Sequence, residues 1–197
     1  MDLSPAEFEI KSLLVRERYY RDTNQWEKLR ASYHPDASRT QIDITWYQGG
    51  IDGFVSGSRA MASSGTGAIH CISPVEVHLN GDKAVTESTG SISIRFAYAG
   101  HSFDCIAVTR FISRVERVAG HWKLLSLEAI YDRDAITPVL PGGASEVVLP
   151  VEGRESYRCL SWVLSLRGFQ VKQDLPGIDD PASCARLMEG ALAWLSG

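Results

Sequence analysis

The sequence predicts an α+β fold. A curved antiparallel sheet wraps as a cone around N-terminal helices and is followed by a two-helix C-terminal extension. Three observations carry this. A capped helix opens the chain. From Ala68 to about Asp134 the pattern is β throughout, with turn signals at similar intervals. After a proline-rich stretch the spacing becomes helical again.

Ser4 is a good N-cap, Pro5 suits the first helical position, and Glu7 completes a capping box. Ile10, Leu13, Leu14 and Tyr20 then recur at helical spacing, so the first helix is expected from Pro5 to Arg21. Asp22-Thr23-Asn24 breaks it. A short second helix carries Trp26 and Leu29 and ends at Tyr33-His34-Pro35, because proline disfavours helix in the residue before it. Thr40 to Tyr47 alternates like one strand, with Ile42, Ile44 and Trp46 on one side. Gly49, Gly50 and Gly53 form a loop, and a third helix is expected around Val55 to Ala62. Ser63 to Gly67 is another loop.

Asn80-Gly81 is a hairpin signal, since both residues tolerate positive φ. Ala99-Gly100 and Ala119-Gly120 mark the next two turns, giving four long strands in meander order. Strands this long twist and curl, which creates a concave face for the helices. Thr137 to Pro150 reads as a linker or wrapping loop. Tyr157, Leu160, Ser161 and Leu164 define a helix stopped by Gly168, and Asp180-Pro181 caps the last one. Its stripe is Cys184, Leu187, Met188, Ala191, Leu192 and Leu195. The expected organisation is a cone domain over 1–138, with 139–197 as a linker and helical extension packed on it or on a neighbouring subunit.

Composition narrows the function classes. The 197 residues suit one domain, with 44% hydrophobic and 22% charged residues and a net charge of −4. No basic run or stripe points to nucleic acid. No apolar stretch is long enough to span a membrane, and Met-Asp-Leu-Ser-Pro is not a secretory start. Cys71, Cys105, Cys159 and Cys184 are scattered, so they read as reduced and mostly buried, with a cytoplasmic location. No Walker loop, dinucleotide-binding glycine motif, nucleophile elbow or zinc motif occurs, so no metal or organic cofactor is implied.

The stretch from Tyr20 to Leu29 resembles the helix-break-helix opening of the SnoaL-like families, within the nuclear-transport-factor-2-like superfamily. His34-Pro35-Asp36-Ala37, Ala68-Ile69-His70, Asn80-Gly81-Asp82-Lys83-Ala84 and Gly120-His121-Trp122-Lys123-Leu124 follow in the order those families show. The resemblance covers roughly residues 5 to 138. It implies a pocketed cone, found in polyketide cyclases, dehydratases, isomerases and epoxide hydrolases and in non-enzymatic members. Within that superfamily the pattern is similar to the scytalone dehydratases. That similarity implies that Asp22 and His70 form a hydrogen-bonded acid–base pair. Arg21, Gln41 and Ile94 stand where those enzymes carry two tyrosines and a second histidine.

The chemistry of the pair stands apart from the family. Histidine titrates near neutral pH, and an aspartate on one ring nitrogen fixes the tautomer and raises the basicity of the other. A two-residue turn at Asn80-Gly81 sets His70 opposite Ser91, on the face away from Ile92 and Ile94. A bulge near Ser73-Pro74 is therefore expected to turn His70 inward, since one extra residue reverses the parity of a strand. Tyr20, Trp46, Tyr47, Asp104, Glu128 and Tyr131 are the candidate ligand-binding residues. Asp104 also falls opposite Arg95, which suits a surface ion pair. His34, His78, His101 and His121 sit at turns or strand ends and read as solvated.

The leading expectation is a cofactor-independent acid–base enzyme, a dehydratase, isomerase or cyclase. Its ligand is a small, hydrophobic, polyketide- or terpenoid-like molecule. An epoxide hydrolase using Asp104 with Arg95 or Arg110 is one alternative, and a non-catalytic binding or assembly module is another. The uncovered sheet face predicts a homodimer.

Overall fold

The structure is a computed structural model that describes residues 4–65, 67–140, 142 and 147–197. Helix α1 (Pro5–Asp22) begins with the expected capping box: the Ser4 hydroxyl accepts the Glu7 N–H, and the Glu7 carboxylate accepts the Ser4 N–H. Helix α2 (Trp26–Ala31), strands β1 (Gln41–Ile44) and β2 (Tyr47–Gly49), and helix α3 (Ile51–Ser63) follow. Thr40–Tyr47 is therefore not one strand. Ile44 pairs with Tyr47, so Thr45-Trp46 is a tight turn that carries Trp46 to the end of a short hairpin.

The long strands are β3 (Ala68–Asn80), β4 (Lys83–Tyr98), β5 (His101–Val118) and β7 (Ser126–Pro138), with a short β6 (His121–Leu124) on β5. The sheet order is β2-β1-β7-β5-β4-β3. All pairs are antiparallel except β1 with β7. The expected fourth strand is split at Leu125 by a bulge: β6 pairs Leu124 with Val115 and β7 pairs Glu128 with Ile112, so three residues oppose two of β5, and the Leu125 N–H still donates to the Arg114 carbonyl. At the first hairpin Asn80 pairs with Lys83, so the turn residues are Gly81 and Asp82 rather than Asn80 and Gly81. Gly81 alone of the two has positive φ (60°), as glycine at the first position of a II′ turn requires.

Register then sorts the sheet into two faces. The pairing shifts between Pro74 and Glu76, leaving Val75 as the extra residue, and His70 lies opposite Ile92. The hairpin slip moves the register by two and keeps parity; the bulge reverses it. His70 thus shares the concave face with Ile92, Ile94 and Phe111, while Ile69 and Cys71 point outward, both exposed. Cys71 therefore departs from the expected burial; all four cysteines are free.

Helix α1 lies across β3, and the concave face closes over Ile10, Leu14, Leu29 and Phe54. Helix α4 (Arg158–Ser165) inserts Leu160, Val163 and Leu164 into this same core. Its start is fixed by Asp134, whose carboxylate accepts the Leu160 N–H at 2.8 Å. Helix α5 (Pro181–Ser196) covers the opposite, convex face: Ala191 and Leu195 pack on Val85, Ile112 and Ile130. Leu192 departs from the expected stripe and stays exposed. Positions 141 and 143–146 of the expected wrapping segment lie outside the described residues, as does position 66 of the loop before β3. No helix among the described residues is long and apolar enough to cross a membrane.

Candidate active site

Asp22 is the last residue of α1, and Asn24 just beyond takes a left-handed φ of 60° that ends the helix. This stop points the Asp22 carboxylate at β3, the edge strand of the sheet. One oxygen accepts the backbone N–H of His70 at 2.6 Å, and the other contacts His70 Nδ1 at 2.7 Å. The two side chains are 12% and 6% exposed. Burial pushes the Asp22 carboxyl up, but the His70 hydrogen bonds and the Arg21 charge outweigh it and hold it below its ordinary value. Burial lowers His70 to about 4; the Asp22 bond opposes this, while Arg21 reinforces it. At neutral pH the imidazole is neutral, Nδ1–H donates to the Asp22 carboxylate, and Nε2 carries the lone pair.

His70 opens onto a narrow, mainly apolar cavity. Ile44, Trp46, Ile92, Ile94 and Phe111 form its apolar walls, and Leu160 and Leu164 of α4 close one end. Its polar groups are Arg18, Arg21, Thr45, His70 and Tyr131. The Tyr131 hydroxyl accepts the Thr45 N–H at 3.0 Å, and burial raises its pKa to about 12, so it keeps its proton. Arg18 is held by Glu17 through two charge-assisted hydrogen bonds, and Tyr33 donates to the same carboxylate at 3.1 Å. Burial works against the Arg18 charge, but Glu17 outweighs it and raises the pKa. Arg21 is held more loosely, 3.5 Å from Asp22 and beside the Trp46 and Phe54 rings.

Of the residues singled out from the sequence, the fold brings together Asp22, His70, Trp46 and Tyr131. The others lie elsewhere. Tyr20 sits in an outer groove beneath the Lys28 ammonium. Tyr47 donates to the Gly50 carbonyl at 2.7 Å and packs against Phe54. Asp104 makes two 2.8 Å bonds to Arg95 on the convex face. Glu128 is one residue from the inward Leu127 and Ala129, so strand alternation sends it outward, 4.0 Å from Arg114. Arg110 is likewise outside, 3.3 Å from Asp132. The residues an epoxide hydrolase would use therefore do not meet in the cavity. His34 is buried rather than solvated, with Nδ1 accepting the Asp36 N–H.

Sequence reasoning missed Arg18, Arg21, Leu160 and Leu164. For the arginines a signal existed. The buried face of α1 runs Ile10, Leu14, Glu17, Arg18, Arg21, so charges occupy the positions where the apolar stripe should continue. Among the described residues, no group of three or more His, Cys, Asp or Glu side chains comes together that could hold a metal ion.

Comparison with known proteins identifies the family and the fold. Residues 4–128 match the SnoaL-like domain. Pea pathogenicity protein 2 of Fusarium vanettenii is 28% identical over 168 residues, covering 80% of this chain and 69% of its own. A scytalone-dehydratase-like protein of Novosphingobium aromaticivorans superposes with a TM-score of 0.53 at 18% identity, covering 68% of this chain and 87% of its own. The hexachlorocyclohexane dehydrochlorinase LinA-type3 of Novosphingobium barchaimii gives a TM-score of 0.54 at 17% identity, covering 74% and 95%. These structures share the fold.

Proposed function

This chain belongs to the SnoaL-like domain family, and from that premise we propose that it is a cofactor-independent acid–base enzyme acting on a small hydrophobic molecule of polyketide or terpenoid kind. The observation that carries the reading is the Asp22–His70 contact at the wall of an apolar cavity. Two structures of the same fold are named for eliminations, a dehydration and a dehydrochlorination. A lyase reaction is the form of acid–base chemistry most in keeping with them.

The groups fall into roles. Nε2 of neutral His70 takes a proton from the ligand, and Asp22 stabilises the imidazolium that results. The imidazolium returns the proton to a leaving oxygen or to another carbon. Such a base contributes roughly 10²–10⁴-fold. The Tyr131 oxygen already accepts from Thr45, so its hydroxyl hydrogen is free to donate to the ligand. The apolar walls exclude water and supply most of the binding.

The test begins with a thermal-shift screen of aromatic polyketides and terpenoids, followed by turnover of the hits. His70→Ala is expected to lower turnover at least about a hundredfold, as loss of a general base does, with affinity kept within a few-fold. A ligand converted equally fast by the wild type and by His70→Ala refutes the reading.

A further inference from the structure

The His70 cavity has a volume of about 30 Å³, room for about one or two water molecules. Pockets that hold a small organic ligand run to roughly 300–1,000 Å³. An organic ligand therefore fits only if a wall gives way, and the packing shows which one. Ile92, Ile94, Phe111 and Tyr131 are fixed in paired strands of the sheet. Leu160 and Leu164, at the α4 end, are 1% and 2% exposed, and moving them uncovers the main core. The wall of Arg21, Met61 and Ala68 is held more weakly. The Met61 sulfur lies 3.8 Å from Arg21 Nη2, and Nη1 of the same guanidinium is 3.5 Å from Asp22. A thioether is a weak acceptor, and the methionine side chain is unbranched with three rotatable bonds.

Behind that wall lies a second void, also about 30 Å³. Arg21, Met61 and Ala68 line it from the other side, together with Asn24, Trp26 and Ala62. The last three in turn line an open surface depression of about 270 Å³, rimmed by Arg59 and Ser63. Three spaces thus lie in a row and share their walls. They lead from His70 to the surface between the α1–α2 corner and the C-terminal end of α3. Resting on the reading above for the cavity being the ligand site, we propose that the ligand reaches His70 by this path and that Met61 is the side chain that admits it. Rotation of Met61 about its own bonds joins the inner two voids with the sheet and α4 left in place. The chain then keeps a small, dry cavity when empty and widens it toward α3 rather than toward its core.

Diethyl pyrocarbonate tests the path without a substrate. It acylates neutral imidazoles, and peptide mass mapping separates His70 from the other histidines. In the full chain at neutral pH, the rate at His70 is read against the rate at His121, which is exposed on β6 and away from the path. Met61→Ala removes the gate and is expected to raise this ratio several-fold. Ala62→Trp fills the middle of the path without touching the His70 cavity and is expected to lower it several-fold. Ala62 is only half-buried, so the tryptophan variant should fold, and an unchanged melting temperature checks that it has. A ratio that either substitution fails to move in its stated direction overturns the proposal. So does a His70 that stays unmodified in both the wild type and Met61→Ala. The acid–base reading fails separately. Turnover indifferent to His70→Ala removes the base and leaves the path intact, whereas labelling indifferent to Ala62→Trp moves the entrance and leaves the base in place.

Discussion

Asp22 holds His70 at two points, the backbone N–H at 2.6 Å and the ring Nδ1 at 2.7 Å. The first bond is possible because β3 is an edge strand, whose outward N–H groups have no neighbouring strand to pair with. One carboxylate therefore fixes both where the residue sits and which ring nitrogen carries the proton.

Asp22→Asn should disable the base without removing it. An asparagine can accept the His70 N–H with its carbonyl, but its amide then faces Nδ1 as a donor. That selects the tautomer with hydrogen on Nε2, which cannot take a proton. Turnover is expected to fall at least about a hundredfold, as it does when the aspartate of a Ser-His-Asp triad is replaced by asparagine. Because the two residues act as a unit, Asp22→Asn with His70→Ala should be little worse than the worse single variant. Nitrogen-15 NMR of the imidazole checks the tautomer directly; an unchanged spectrum with full loss of turnover would contradict this account.

The lowered His70 value makes a pH prediction. Folded His70 titrates near 4, while the unfolded residue titrates near 6.5. As pH falls from about 6.5 to 4, the unfolded chain binds a proton that the native state refuses, so stability is lost across that window. The loss approaches about 3 kcal/mol at the acid end. Asp22, held below its ordinary value, acts in the same direction but lower, as pH falls through its folded pKa. Denaturant titrations of His70→Ala between pH 6.5 and 4 should show a flatter stability profile than wild type. Parallel profiles would exclude a neutral buried His70.

The bulge shows what the sequence could and could not say. Pro74 marked an interruption in β3, and parity required one if His70 was to face the helices. The structure leaves out Val75, one residue later, where Lys11 of α1 donates to the Val75 carbonyl at 2.9 Å. The fold class, the helix caps and the I′-like turns at Ala99-Gly100 and Ala119-Gly120 follow from local chemistry and were legible. The cavity was only half legible. Trp46 and Tyr131 announce themselves as aromatic, but Arg18 and Arg21 reach the site through an amphipathic face whose charges looked like surface. Leu160 and Leu164 arrive from a helix distant in sequence, and nothing local says which surface it will seal.

Deleting Val75 should therefore act as a functional switch. Restoring regular pairing turns His70 outward and brings Ile69 and Cys71 inward, since one residue reverses the face. Acid–base turnover is expected to drop to the level of His70→Ala, while far-UV circular dichroism stays that of a folded sheet. Full turnover in the deletion variant would mean that the register is set elsewhere.

The convex face carries an assembly prediction. Helix α5 covers Val85, Ile112 and Ile130, but the row Ile69, Ser93, Ile106 and Ala135 crosses β3, β4, β5 and β7 beyond it. Ile69 is 68% exposed and Ile106 44%. Large apolar side chains left exposed close together on one sheet face mark a surface that a partner covers. A homodimer through this row is expected, and Ile106→Lys should convert it to monomer in light scattering. A wild-type monomer at micromolar concentration would refute it.

Truncation after Pro150 should remove more than an appendage. Helix α4 places Leu160, Val163 and Leu164 in the main core, each 2% exposed or less, and two of them close the cavity. Helix α5 adds Ala191 and Leu195 over the convex face, held at its end by Asn80, which donates to the Leu195 carbonyl at 2.8 Å. Burial of each large apolar side chain stabilises by roughly 1.5–3 kcal/mol, so losing several approaches the whole stability of a typical domain. Removing α5 alone uncovers only its own patch. Ending the chain before Asp180 should therefore lower the melting temperature yet leave ligand binding intact. Ending it after Pro150 should give an aggregating protein that binds nothing. If the shorter chain keeps its melting temperature and its ligand, the cavity does not depend on α4.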